Sequence, residues 1–405
     1  TTGGSELLSM DEGAHVALVT NSNQTITNVE RLKFTGTASQ TSTLKQSGVD
    51  VAKATWALGD QKFATANEGR DLVVNYKLQE LNLQVTTPNS GLVVTNTTAA
   101  DQTLSAKLTG AGNIRFNGDT TFGGGIITVN NVNNDYTGIT YIERGEVVAG
   151  ADNALGQTKE LNISSGASFN LDSHSQTVGD LITASGNALK STGGSLTLKG
   201  TNSDVKGANA GLNAKIALVD GSKTKLDNVM GLGTGSIAIG SSDDVLTLSG
   251  ANGQFANTVT GNGGLTLDNG SNVELMGANT DYEGKVTANA GTKLTVNGPV
   301  ADHLGKGQLH VDGTANLTQS GDWTLNNTLT GNGTVTVSAD KAGGDGTFAL
   351  GTGAGSAFNG NLVLTEANMT LSDVASSEGK INADALADAT LTAGTNGVVN
   401  VEKGN

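Results

Sequence analysis

The sequence has no cysteine in 405 residues and only 2 prolines. Without thiols, disulfides, thiol catalysis and cysteine-ligated zinc are excluded together. An oxidising compartment is not excluded, because a chain that must cross an outer membrane unfolded gains by having no disulfide to block it. Aromatic residues are 3% of the chain, too few for a dense aromatic core or a base-stacking nucleic-acid surface. Scarce proline and the lack of a strict glycine period of three exclude collagen. No apolar run approaches the ~20 residues of a membrane helix. Positive charge is also in deficit, with 23 Lys and Arg against 38 Asp and Glu, a net of −15. That disfavours nucleic acid or an anionic membrane as a partner for the surface as a whole. The chain opens at Thr1 without an initiator Met or a signal peptide, so a mature or truncated chain is expected.

Gly, Thr and Asn are abundant, supplying 58, 53 and 41 residues, together 152 of the 405. All three are weak helix formers. Hydrophobic residues make up 36% of the chain in short β-branched runs, which points to a buried core rather than disorder. These runs alternate with period two: Val245-Leu246-Thr247-Leu248, Gly264-Leu265-Thr266-Leu267, Lys293-Leu294-Thr295-Val296 and Thr334-Val335-Thr336-Val337. Each places two apolar side chains on one face and Thr on the other, as a half-buried strand requires. The chain is all-β.

Three segments repeat an apolar-Thr-Gly-x-Gly-x-apolar-x-apolar pattern, beginning at Leu108, Val259 and Leu329. An aromatic-x-Gly turn follows each one: Tyr136-Thr137-Gly138, Tyr282-Glu283-Gly284 and Phe358-Asn359-Gly360. Leu-Gly followed by a strand recurs at Leu155, Leu232 and Leu304. Imperfect recurrence of short strands and Gly or Asn corners predicts a solenoid, in which each coil buries its apolar face on its neighbours. Three strands and their corners give a coil of roughly 20–25 residues, hence about 16–20 coils and a rod of roughly 75–95 Å. Residues 1–100 fit the repeat less well. The stretch Ala52–Asp60, with one of the 2 Trp residues, is expected to form a hairpin leaving the rod or an N-terminal cap. No Pro- or Ser-rich linker divides the chain, so residues 1–405 are expected to form one continuous domain.

The segment Leu329-Thr330-Gly331-Asn332-Gly333-Thr334-Val335-Thr336-Val337 and its two relatives, with Asn134-Asp135-Tyr136-Thr137-Gly138 and Asn153-Ala154-Leu155-Gly156, resemble the passenger domain of AIDA-like (adhesin-type) autotransporters of Gram-negative bacteria. The resemblance covers about residues 104–371 and extends to the N-terminal quarter only in general texture. It implies a single right-handed parallel β-helix of the pectin-lyase-like kind. It also implies export across the outer membrane to the cell surface, through a C-terminal barrel that this chain does not contain. The function it implies is non-catalytic adhesion, with a host matrix protein, a glycosaminoglycan or another copy of the chain as partner, in aggregation and biofilm formation. The alternative from another class is a carbohydrate-active β-helix enzyme.

No Gly-Asp-Ser-Gly run, the protease signature among such passengers, occurs. Of His15, His174, His303 and His310, only the last two are close in sequence. Asp243-Asp244 is the most concentrated acidic pair, and neighbours on a strand face opposite sides, so a solvated corner is expected over a catalytic pair. Gly343-Gly344-Asp345-Gly346 occurs once, without the repeat of calcium-binding β-rolls, and Gly231-Leu232-Gly233-Thr234-Gly235 reads as a corner rather than a phosphate loop. Neither a metal nor a cofactor is expected. Tyr136, Tyr282 and Phe358 could stack on sugars, but their equivalent positions favour core plugs. Residues 185–226 hold Lys190, Lys199, Lys206, Lys215, Lys223 and Lys225 against Asp204 and Asp220, a local net of +4. A solvated face is the default reading, and a polyanion site is the functional one, with Lys190 and Lys215, or Lys199 and Lys223, stacked one coil apart.

Overall fold

A strand of four residues with one apolar face cannot bury that face alone, and stacking on copies of itself is the economical solution. The structure, a computed structural model describing residues 15–19, 39–63, 72–96, 100–118, 125–342, 344–351 and, with short gaps, 354–401, adopts it. Its main sheet runs from Leu92–Asn96 to Ala357–Phe358 and holds 13 strands among the described residues. Every one of its pairings is parallel. The chain returns to this sheet after one turn, by register between 19 residues (Val245 to Gly264) and 27 residues (Thr330 to Ala357) later. Among the described residues three sheets of 5 strands, one of them including the antiparallel strand Asp340–Lys341, and one of 7 close the remaining sides of the coils. The one helix among the described residues is Val300–Leu304. The fold is an all-β parallel β-helix, as the period-two pattern predicts. All six apolar side chains expected inside it, Leu265, Leu267, Leu294, Val296, Val335 and Val337, are buried.

The coil count is lower than expected. The 13 rungs of the main sheet span about 58 Å at ~4.8 Å per interval, against the 16–20 coils predicted. Dividing the whole length by the coil length assumed that every residue winds. The described residues between 39 and 83 do not: Ser39–Gln46, Val49–Phe63 and Leu72–Leu83 form an antiparallel sheet, with Trp56 packed into it. Ser47 and Gly48, both at positive φ, make the tight hairpin turn between the first two strands. Glu80–Leu83 then pairs in parallel with Lys107–Gly110, joining this sheet to the coils. On Val93, in the first strand of the main sheet, the Gln46 side chain reproduces a strand partner. Its Nε2 donates to Val93 O at 2.9 Å, and its Oε1 accepts from Val93 N at 2.8 Å.

The two glycine motifs are a single corner seen on consecutive rungs. In apolar-Thr-Gly-x-Gly the first glycine ends a strand at positive φ, 89°, 94° and 103° for Gly110, Gly261 and Gly331. The aromatic of the following rung lies over it, with Tyr282 bridging to Gly261 and Phe358 pairing with Gly331. The glycine after the aromatic presses on the second glycine of the rung before. A Cβ on Gly138, Gly284 or Gly360 would come within 1.9–2.1 Å of the carbonyl oxygen of Gly112, Gly263 or Gly333. Tyr136, Tyr282 and Phe358 are fully buried. Tyr136 OH meets Thr140 Oγ1 at 2.6 Å and Tyr282 OH donates to Gly263 O at 2.8 Å. They are core plugs, and none is presented to a sugar.

At the corners the backbone turns away from the ladder, so buried side chains supply the missing partners. Asn209 accepts from Leu189 N at 3.0 Å and donates to Gly231 O at 2.7 Å. Asn279 accepts from Val259 N at 2.7 Å and donates to His303 O at 2.6 Å. Asn257 bonds Gly233 O and Gly235 O, which makes Gly231–Gly235 a corner. Asp244 performs the same task as an anion, and here the sequence reading is corrected. Only Asp243 is at the solvent; Asp244 is 1% exposed. Its Oδ1 accepts from Gly221 N and Ser222 N at 2.9 and 2.8 Å, and its Oδ2 from Ser241 N and Oγ at 2.7 and 2.8 Å.

These features set three outcomes. Leu267→Ala opens a cavity in the core and should cost roughly 2–4 kcal/mol, read as a lower denaturant midpoint. Gly284→Ala should cost about 1–3 kcal/mol through the clash with Gly263, although alanine suits a strand better than glycine does in the open. The third concerns Asp244. Burial opposes its ionisation, but the donors of Ser241, Ser222 and Gly221 outweigh that and hold the carboxyl below its ordinary range. A depressed folded-state pKa gives stability that is complete above the unfolded value of ~3.9 and lost as pH falls through the folded one. Asp244→Ala should therefore lower the midpoint at pH 7 and flatten its decline below about pH 4, compared with the parent.

Candidate functional site

With the interior mostly apolar and most of its buried polar groups committed to the backbone, the candidate functional surface is the set of outward columns that the parallel register creates. In the main sheet one column runs from Val93 through Arg115, Tyr141, Asn162, Ile182, Asp204 and Lys225 to Thr247, Thr266, Thr287, His310 and Thr330. Its first half mixes charged and apolar groups, and its second half is mostly threonine.

The sheet of 7 strands, from Asn252–Phe255 to Thr390–Ala393, has a sharper division. Its early rungs present Glu274 and Lys293. The Glu274 carboxylate takes bonds from Gln254 Nε2 at 3.0 Å and Asn297 Nδ2 at 2.7 Å, which hold it below the usual carboxylate range. Its last four rungs present Thr314, Asn316 and Thr318, then Thr334, Thr336 and Ser338, then Asn361, Val363 and Thr365, then Thr390 and Thr392. None of these eleven is charged. Rows lie ~4.8 Å apart along the rod, and groups in a row about 6.6–6.8 Å apart. Thr392 Oγ1 donates to Asn361 Oδ1 at 2.8 Å across one interval.

The six lysines are not gathered on one face. Lys190 and Lys215 lie in different sheets, so they do not stack. Lys223 and Lys225 are in the main sheet, Lys206 follows its strand Ser203–Val205, and Lys199 follows Ser195–Leu198 on another side. Four of them have partners: Lys190 with Glu146 at 2.6 Å, Lys199 with Asp220 at 3.1 Å, Lys206 with Asp204 at 2.9 Å, and Lys223 with the carbonyl of Asp243. Glu146 is opposed by burial, but Lys190, Asn170 and Ser168 outweigh it and depress its pKa. Lys215 and Lys225 are exposed and make no ion pair among the described residues. Chain spacings of 7 to 9 residues move a side chain around the coil rather than along the rod, and this disperses the cluster.

A different lysine shares a groove with Lys199. A shallow groove of about 620 Å³ is lined by Lys159 and Lys199 with Asn153, Gln157, Thr177 and the apolar Val132 and Val178. Lys159 lies outside the lysine-rich window, and only the local coil length of about 20 residues relates it to Lys199. Elsewhere, His303 Nδ1 is 2.9 Å from Gly277 O while His310 faces the main-sheet exterior, so the close pair in sequence has separate partners. Among the described residues no three His, Asp or Glu side chains gather in a geometry that could hold a metal, and no helix is long and apolar enough to cross a membrane.

No family model matches the chain, and no solved structure matches it. Similar curated proteins include two from Escherichia coli (strain K12). The uncharacterized lipoprotein YdeK is 29% identical over 322 residues, 74% of this chain and 23% of its own length. The uncharacterized protein YuaQ is 32% identical over 145 residues, 36% of this chain and 10% of its own. The chain thus spans less than a quarter of the curated relatives it matches, and neither description names an activity.

Proposed function

We propose that this chain is the β-helical part of a non-catalytic bacterial surface adhesin that associates with copies of itself. The observation that carries the reading is the uncharged end of the 7-strand sheet. Two copies of a chain with net charge −15 repel one another. A face free of charge is where they can approach, and Asn and Thr side chains each both donate and accept. Such a face is complementary to itself in a two-fold arrangement, as an isologous contact requires. Each hydrogen bond contributes about 0.5–1.5 kcal/mol net, so one pair of rods binds weakly and many rods on facing cells bind by avidity. The lipoprotein relative supports an envelope or surface location, and export across the outer membrane is part of the same proposal.

The groove holding Lys159 and Lys199 favours a second partner, a glycosaminoglycan or another acidic glycan of the host matrix. Its amides and ammonium groups suit binding. Glycoside hydrolysis needs two carboxylates flanking the bond, which this groove does not present.

Placing charge on the face tests the first reading. Asn316→Asp with Thr336→Glu should abolish dimers in sedimentation and aggregation of displaying cells, with circular dichroism unchanged. Aggregation at the parent level in this variant would reject the face. For the groove, Lys159→Glu with Lys199→Glu should reduce heparin retention and leave aggregation intact, and a parent that heparin does not retain at low salt would reject the glycan partner.

A further inference from the structure

On the exterior of the main sheet, three side chains from two rungs form a hydrogen-bonded relay. His310 lies in Leu309–Val311, Asp312 follows it, and Thr330 lies on the next rung in register with His310. His310 Nδ1 is 2.9 Å from Thr330 Oγ1, and His310 Nε2 is 3.1 Å from Asp312 Oδ2. The other carboxylate oxygen of Asp312 accepts from Asn332 N at 3.0 Å. That bond comes first among the causes that hold Asp312 below the usual carboxylate range, ahead of the charges of His310 and Lys285. A carboxylate only accepts, so Asp312 assigns the proton of a neutral His310 to Nε2. Nδ1 is then the acceptor, and the Thr330 hydroxyl must donate to it. This is the order of roles in a nucleophile–base–carboxylate triad, which is recognised by geometry rather than by sequence position. The imidazole and the carboxylate are 26% and 36% exposed, so the group is reachable from solvent.

We infer that Thr330 is an activated acyl-acceptor site, with His310 as its general base and Asp312 as the residue positioning that base, for carboxylic esters with a good leaving group. Thr330 Oγ attacks the carbonyl carbon, a C–O bond forms, the carbonyl electron pair moves to oxygen, and the hydroxyl proton passes to His310 Nδ1. Collapse re-forms the carbonyl, expels the leaving group with its bonding pair, and returns the proton from His310 to it or to water. The product is an ester on Thr330. Asn332 N is already committed to Asp312 and Gly333 N donates to Val311 O at 2.8 Å. The oxyanion is therefore left to side chains and water. Hydrolysis would need water activated by His310 and the proton returned to Thr330 Oγ, in an alkyl ester less activated than the substrate, so this second step is the slower one. The acyl group therefore accumulates on Thr330, at one per chain, which is compatible with a non-catalytic adhesin and does not depend on that reading.

The test uses p-nitrophenyl acetate with the whole chain, following the p-nitrophenolate burst and mapping acetyl groups by peptide mass spectrometry. One acetyl per chain on Thr330 is expected. Thr330→Val, which suits an exposed strand, should remove it, and Thr330→Ser should restore it. His310→Gln should slow acetylation by about 100-fold or more, the usual share of a general base. Asp312→Asn should slow it too, because an amide that donates to Nε2 turns Nδ1 into a donor. Circular dichroism of each variant reports the fold. A burst that survives in Thr330→Val or His310→Gln, acetyl spread over lysines such as Lys285 and Lys306, or no acetyl on Thr330 overturns the inference.

Discussion

The spacing of ~4.8 Å between hydrogen-bonded rungs governs this molecule. It leaves no room for a side chain wherever the backbone turns toward the rung below, so glycine occupies those points, and the carbonyl of Gly263 lies where a Cβ of Gly284 would go. It takes corner peptides out of the ladder, so buried amides such as Asn209 and Asn279 take over their bonds. It also aligns like positions, turning a sequence alternation into columns of outward groups. Surface chemistry then follows from which residues fall in register, and neighbours in sequence are dispersed around the coil.

Much of the fold was legible in the sequence because period two and recurring glycine are local signals. Leu267 and Val335 could be placed inside from four residues of context. Coil number was not legible, because Ala52–Leu58 also alternates, and alternation does not distinguish antiparallel strands from parallel ones. Asp244 illustrates a second limit. Its anchoring role depends on Gly221 and Ser222, one coil earlier, and no local pattern announces that. The lysines were visible as a cluster in sequence, but coil lengths that vary from rung to rung decide which of them share a face, and Lys159 joins Lys199 only through them.

Electrostatics and hydrogen-bonding capacity divide the exterior into regions of different character. Several lysines are matched locally, as in Lys190 with Glu146 and Lys206 with Asp204, while the excess of acidic groups leaves a net charge of −15 on the chain. The uncharged rungs differ in kind. Each hydroxyl or amide there can serve either side of a bond, which makes the region tolerant of register and orientation.

The Gln46 amide on Val93 has a mechanical consequence. A stack of rungs that touch only their neighbours can gain or lose strands only at its ends. With the peptide groups of Val93 already bonded by a side chain that imitates a strand, a foreign strand or a slipped copy of its own would have to displace Gln46 to pair there. At that position the first rung of the main sheet ends on a side chain, where an open edge would offer its peptide to any passing strand.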